Sequence, residues 1–200
     1  MKLTEDYWNN CYQNNDTRWD LGKISPPIEA YISQITNKEL SILIPGGGNS
    51  HEAEYILNNG FKKVFVIDIS PFAISNIKER VPNLPVSQLF NEDFFNLNGK
   101  FDLIIEQTFF CAIDKNLRPA YAKKMAELLH LGGKLVGLLF DAQLNEEHPP
   151  YGGNKKEYIG YFEPYFDIEI MDPCYNSVEP RSGRELWVKM IKKVRQDQGG

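Results

Sequence analysis

Ser41-Ile42-Leu43-Ile44-Pro45-Gly46-Gly47-Gly48-Asn49-Ser50-His51-Glu52 is an apolar run that stops at a proline and opens into three consecutive glycines. The apolar part is too short for a helix and reads as a buried strand ending at Pro45. Helical signals follow at once: Ser50 or Asn49 stands where a cap is needed, and Ala53, Ile56 and Leu57 recur on one helix face. Strand, glycine turn and helix N-terminus, in that order, let a ligand come close to a main chain that carries no side chains. A turn needed only to reverse the chain would use the same glycines, so the motif alone leaves both readings open.

A second buried strand, Val64-Phe65-Val66-Ile67-Asp68-Ile69, carries a carboxylate at its end. Asp68 follows Gly46 by about 20 residues, the separation at which an acid hydrogen-bonds ribose hydroxyls in nucleotide-binding α/β units. An adenosine-containing ligand is therefore expected. The dinucleotide fingerprint G-x-G-x-x-G is incomplete, because Gly46 and Gly48 are followed by His51 at the sixth position. That departure disfavours a nicotinamide dinucleotide and leaves nucleosides without a pyrophosphate.

A length of 200 residues suits one domain, spanning 1–200, with a sizeable core. The formal net charge of −5 and the lack of a clustered basic stripe argue against a nucleic-acid surface, which needs concentrated Lys and Arg. Lys189, Lys192, Lys193 and Arg195 gather near the C-terminus, where a solvated strand end accounts for them. With no basic leader and no apolar run near the roughly 20 residues that span a bilayer, the expected location is the cytoplasm, away from membranes. Cys11, Cys111 and Cys174 are odd in number and far apart, which predicts buried free thiols rather than disulfides or a zinc pair. His51, His130 and His148 are scattered likewise, and no metal is assigned.

From Thr4 to about Gln13 a short helix is expected, and Tyr7, Trp8, Tyr12 and Trp19 make residues 1–27 an aromatic lid or packed arm. Ser25 and Pro26 suit the cap and first turn of a helix running from Pro27 to about Thr36. Further helices are expected after Ser70-Pro71, from about Asn116 to His130, and from Lys155 to Phe162. The strands between them are expected at Pro85 to Phe90, Phe101 to Glu106, and Lys134 to Phe140, the last begun by the breaker Gly132-Gly133. Strands at Phe166 to Met171 and Glu185 to Val194 have only turn formers between them and should pair antiparallel. The predicted class is α/β, a seven-stranded, mostly parallel sheet with helices on both faces and a C-terminal antiparallel hairpin.

Several separated stretches together resemble the class I S-adenosylmethionine-dependent methyltransferases, in particular the thiopurine methyltransferase family with its thiol and halide methyltransferase branch. They are Trp8 with Cys11-Tyr12, Trp19-Asp20-x-Gly22 with Pro26, Ile44-Pro45-Gly46-x-Gly48, Val66-x-Asp68-Ile69-Ser70 and Glu92-Asp93-x-Phe95. Phe109-Phe110-Cys111-Ala112-Ile113, Arg118-Pro119-Ala120-x-Ala122 and Pro149-Pro150-Tyr151 complete the series. The resemblance covers nearly the whole chain and implies a Rossmann-like fold with S-adenosyl-L-methionine as cofactor.

By this resemblance Gly46 and Gly48 would approach the methionine and ribose parts of the cofactor, Asp68 would accept both ribose hydroxyls, and Ile69 would pack on the adenine. Glu92 and Asp93 match the position beside the adenine amine. Trp8, Tyr12 and Trp19 match the aromatic arm, and aromatic faces attract a sulfonium cation. Gln107 stands after the fourth strand, where the family commonly has Arg or Tyr near the cofactor.

Phe109, Phe110, Tyr151 and the Pro149-Pro150 turn would wall an apolar acceptor pocket, although His148 replaces the usual Gly before the prolines. Asp141 is the available acid-base candidate, with strand-end capping as its alternative, and no catalytic residue is assigned. Arg181 and Arg184 stand where they would meet an anionic acceptor, solvent exposure being the other reading. The implied partner is a small-molecule methyl acceptor, probed first as a thiol and then as a halide or thiopurine, and a monomer is expected. A nicotinamide oxidoreductase and a nonenzymatic binding domain are the competing classes.

Overall fold

The computed structural model describes residues 3–194, so Arg195 lies outside the described residues. Its strands are β1 (Ser41–Pro45), β2 (Lys63–Asp68), β3 (Leu89–Asn91), β4 (Phe101–Gln107), β5 (Leu129–Phe140), β6 (Phe166–Pro173) and β7 (Glu185–Lys192). The helices are α1 (Glu5–Gln13), α2 (Pro26–Ser33), α3 (His51–Asn58), α4 (Pro71–Arg80), α5 (Arg118–Leu128) and α6 (Lys155–Phe162). One seven-stranded sheet has the order β3-β2-β1-β4-β5-β7-β6. Strands β1 to β5 are parallel, and β7 runs antiparallel between β5 and β6. The structure is the mostly parallel α/β sheet with an antiparallel C-terminal pair that the sequence predicts.

Alternation along the strands divides the core between the two faces. Ile42, Ile44, Val64, Val66, Leu103 and Ile105 pack with Ile28 and Ile32 of α2, Ile56 of α3, and Ile74 and Ile77 of α4. Leu43, Ile67, Ile104, Leu135 and Leu139 face the other way, onto Tyr121 and Met125 of α5 and Phe162 of α6. Because the chain runs β1, β2, β3 outward and then returns to place β4 beside β1, the order reverses between β1 and β4. Ligands of open α/β sheets bind beyond the carboxyl ends of the strands at such a reversal.

Local differences have local causes. The strand expected from Pro85 begins only at Leu89, because Val86–Gln88 forms a 3-10 turn with its side chains outside the core. Helix α5 ends at Leu128, and β5 starts at Leu129 and runs through Gly132-Gly133. Its pairing with β4 shifts between Phe101 and Leu103, so the glycine pair forms an irregularity inside the strand where a break was expected. Ser50 occupies the N-cap of α3 at φ 48°, a left-handed conformation, and its hydroxyl makes no cap bond. The Ser25 hydroxyl also leaves its helix uncapped and donates to Gln107 Oε1 at 3.0 Å.

Candidate active site

The glycine turn lies at the reversal point, at the end of β1. Gly46 and Gly48 have φ of 57° and 55°, values that favour glycine. A Cβ on Gly46 would stand 2.2 Å from the Phe109 ring, and one on Gly48 would stand 3.0 Å from the Tyr12 hydroxyl oxygen. Gly47 N–H donates to Ile67 O at 3.2 Å, and Gly48 N–H to Asp68 Oδ2 at 2.9 Å, which ties the turn to the end of β2. Asp68 Oδ1 accepts from Ser70 N at 2.8 Å. Burial pushes the Asp68 carboxyl above the usual aspartate range, with these two amides pulling the other way.

The N-terminal arm covers the turn. Trp8 and Trp19 meet edge to face with centroids 5.5 Å apart, and Tyr12 meets Trp19 at 5.9 Å. Polar contacts fix the arm at two places. Asp20 accepts from Gly22 N at 2.7 Å, from the Asn49 amide, and pairs with His51 Nε2 at 2.8 Å. Burial opposes ionisation of Asp20, but these bonds prevail and hold its carboxyl below the ordinary range. From the opposite side, Arg181 Nη2 donates to the Trp19 carbonyl at 2.9 Å.

A cavity of about 830 Å³ runs from the turn under the arm. Trp8, Tyr12, Trp19, Gly46, Gly48, Asp68, Ile69, Glu92 and Asp93, all expected at the cofactor, line it. Asp93 also accepts from Phe95 N at 2.9 Å, capping a short turn. Phe109, Pro149 and Pro150 contribute wall, and Arg181 and Arg184 line it as cations. Arg181 is only 9% exposed, so the solvated reading does not describe it. Cys111 is buried, as expected, but Cys11 is half-buried and lines the cavity.

Four expected site residues do not line this cavity. Gln107 is taken by Ser25. Phe110 is 2% exposed and turned into the core, against Tyr121, Tyr158, Phe162 and the Arg118 guanidinium. Tyr151 is buried, its N–H donating to Cys111 O at 2.7 Å and its carbonyl accepting from Arg118. Asp141 is exposed and Oδ1 accepts from Lys155 N at 3.0 Å, so the capping alternative holds.

Two supports of the site were given no function from the sequence, although Arg118 belongs to one of the stretches that carry the resemblance. Glu106, at the end of β4, accepts from Phe109 N at 2.8 Å, from Phe110 N at 3.0 Å and from the Tyr121 hydroxyl. Burial raises its carboxyl to about 7 despite these bonds. Arg118 is fully buried; Nη1 donates to Gly152 O at 3.0 Å and Nη2 to Tyr151 O at 3.3 Å, and the guanidinium lies 4.6 Å from the Phe110 ring centroid. Glu106 therefore holds the Phe109 wall and Arg118 the segment after the two prolines.

A glycine turn and carboxylate at the reversal point of this sheet, under an aromatic cover, define a class I S-adenosylmethionine-dependent methyltransferase. The profile of the thiopurine S-methyltransferase family matches residues 3–194, and the chain belongs to that family. A probable thiol methyltransferase 2 of Arabidopsis thaliana is 32% identical over 185 residues, covering 89% of this chain and 81% of that protein. The thiocyanate methyltransferase 1 of Brassica oleracea is 30% identical over 190 residues, covering 92% and 83%. In fold, the chain resembles the 1,6-didemethyltoxoflavin-N1-methyltransferase of Burkholderia thailandensis, with TM-score 0.75, 14% identity and coverage of 96% and 88%. The magnesium protoporphyrin IX methyltransferase of Synechocystis PCC 6803 gives TM-score 0.72 at 13% identity, covering 94% and 97%.

The enzyme is thus a methyltransferase that uses S-adenosylmethionine, and its own residues fit that cofactor. A Cβ at Gly46 or Gly47 would overlap Phe109 or Val66, so the turn stays bare where the cofactor approaches. Each Asp68 oxygen has accepted one main-chain N–H and keeps a second lone pair for a hydroxyl. Trp19→Ala is expected to weaken S-adenosylmethionine binding about 3- to 10-fold by opening the aromatic cover over the sulfonium. Tryptophan fluorescence should respond to that ligand through Trp8 and Trp19, which line the cavity, and the variant should keep only the Trp8 part, since Trp187 packs on Tyr31, outside the cavity wall.

Proposed function

We propose that the methyl acceptor is a small, soft nucleophile, in the first place a thiol, methylated at sulfur by in-line displacement. The observation that carries this reading is the joint wall of Phe109, Pro149 and Pro150 with the buried guanidinium of Arg181, beside the glycine turn. Apolar surfaces suit a polarisable sulfur, and a cation with little water around it favours the thiolate over the thiol. The names of the similar plant proteins, a thiol and a thiocyanate methyltransferase, agree with it.

When bound, the cofactor supplies an activated methyl group on a sulfonium. Gly46 and Gly48 admit its methionine and ribose portions, Asp68 accepts from the ribose hydroxyls, and Ile69 packs on the adenine, with Glu92 and Asp93 near the adenine amine. Trp8, Tyr12 and Trp19 face the positive charge and exclude water. The chain acts as a single domain over 1–200, with 1–27 as its closing arm, in a monomer of the cytoplasm. Its net negative charge supports a function away from nucleic acids, and among the described residues no helix is long and apolar enough to cross a membrane.

Transfer of labelled methyl to a panel of a small thiol, thiocyanate, iodide and a thiopurine tests this reading. The thiol is expected to give the highest kcat/KM, with thiocyanate and iodide next because Arg181 favours anions. Preference for the thiopurine, or no transfer to any sulfur or halide acceptor, would contradict it.

A further inference from the structure

A thiol must lose a proton before or during transfer, whereas thiocyanate has none to lose. Asp141, the carboxylate at the end of β5, is engaged with Lys155 and does not line the cavity. Glu185 is placed differently. It opens β7 opposite Phe140, is 4% exposed, and its Oε1 lies 3.6 Å from Arg181 Nη1. Neither Glu185 Oε2 nor Arg181 Nη1 completes a hydrogen bond.

A hollow of about 10 Å³ adjoins Glu185. Thr108, Cys111 and Phe140 line both this hollow and the main cavity, so one layer of side chains separates the carboxylate from the acceptor space. The hollow is of the order of one water, and the Thr108 hydroxyl and Cys111 thiol give it polar edges. Arg181 spans the same layer, touching the cavity on one side and Glu185 on the other.

Building on the thiol reading above, we propose that Glu185 accepts the proton of a thiol acceptor while the resulting thiolate replaces it as the counter-ion of Arg181. The S–H bond breaks and its proton, relayed across the shared layer by the Thr108 hydroxyl, joins a Glu185 oxygen. The sulfur lone pair makes the new S–CH3 bond, and the electron pair of the broken sulfonium bond returns to the donor sulfur. Glu185 releases the proton to solvent after product leaves. Net charge around Arg181 is unchanged by the proton transfer, which matters in a poorly solvated site; methyl transfer then cancels the thiolate's charge against the sulfonium's, and Arg181 regains its counter-ion when Glu185 loses the proton.

Burial holds the Glu185 carboxyl above the ordinary glutamate range, with Ser177 and Arg181 pulling it down. The titratable and charged groups facing it are Arg181 and the Cys111 thiol, and burial pushes that thiol up to about 12, so it stays neutral. A ready-made anion meets the opposite situation. Beside ionised Glu185 it would leave two negative charges for one Arg181, so its binding should draw a proton onto Glu185.

Glu185→Gln is therefore expected to lower kcat/KM for a small thiol at least 10-fold while leaving that for thiocyanate unchanged or higher. A purely structural residue would depress both together. Calorimetric titration of thiocyanate into wild-type enzyme saturated with S-adenosylhomocysteine, in buffers of different ionisation enthalpy, should show net proton uptake above neutral pH. This second measurement decides the matter if the variant does not fold. Equal losses on both acceptors, thiocyanate binding without proton uptake, or no thiocyanate binding would overturn the role of Glu185. A wild type that methylates no acceptor would instead overturn the thiol reading, with the calorimetry still reporting on Glu185.

Discussion

Asp68→Ala should weaken S-adenosylhomocysteine binding by about 1–3 kcal/mol, roughly 5- to 150-fold in Kd. The loss has two parts. The ribose loses a charged acceptor, and the amides of Gly48 and Ser70 lose the carboxylate that fixes the turn. Asp68→Asn separates affinity from stability. Because burial raises the Asp68 carboxyl in the folded state, the fold binds that proton more tightly than the unfolded chain does, and stability falls as pH rises from the ordinary aspartate range through the raised value. The neutral amide should therefore remove this loss at neutral pH while still weakening the ligand. Thermal unfolding and equilibrium titration of the two variants check both directions, and a folded Asp68→Ala protein with wild-type affinity would refute the assignment.

Arg118→Met should be the most destabilising of the substitutions considered. The side chain is fully buried, and its removal strips donors from the carbonyls of Tyr151 and Gly152 and from Glu157 Oε1, 3.3 Å away. Leaving the two carbonyls without their donors costs about 1–3 kcal/mol each, which lowers Tm by about 10 °C for a chain of this size. The damage should also be local. With Phe110 and the segment after Pro149-Pro150 loosened, KM for the acceptor should rise several-fold at temperatures where the variant is folded. The affinity for S-adenosylhomocysteine should change little, because Gly46, Gly48 and Asp68 lie elsewhere on the wall. Scanning calorimetry and steady-state kinetics check this, and an unaltered Tm would mean that the network contributes nothing.

The sheet was largely legible because its central strands are continuous apolar runs, the pattern of strands buried on both faces. Val64–Ile67 and Leu103–Ile105 could be placed from that pattern alone. Leu89–Asn91 is too short to announce itself, and Gly132-Gly133 reads as a break although β5 accommodates the pair within the strand. At the site, residues at strand ends near the glycine turn were legible because β1 and β2 fix where they emerge.

The residues after β4 were not. Thr108 turns with φ 60°, so Phe109 faces Gly46 whereas Phe110 enters the core, a distinction between neighbours that no sequence period encodes. The supporting role of Arg118, the burial of Arg181 and the place of Glu185 escaped for a related reason. Arg118 meets Gly152 34 positions away and Arg181 meets Trp19 162 positions away, so their partners exist only once the chain has folded. Arg181 was legible as a contact for an anionic acceptor, whereas its pairing with Glu185 at the mouth of β7 was not.

The central claim is that the bare turn at Gly46–Gly48, with Asp68 beside it and Trp8, Tyr12 and Trp19 above, receives the methyl donor. A crystal structure of the enzyme with S-adenosylhomocysteine tests it most directly. The account predicts both ribose hydroxyls within hydrogen-bonding distance of the Asp68 carboxylate and the donor sulfur beneath the aromatic arm. The same ligand bound away from Asp68, with the glycine turn untouched, would contradict it.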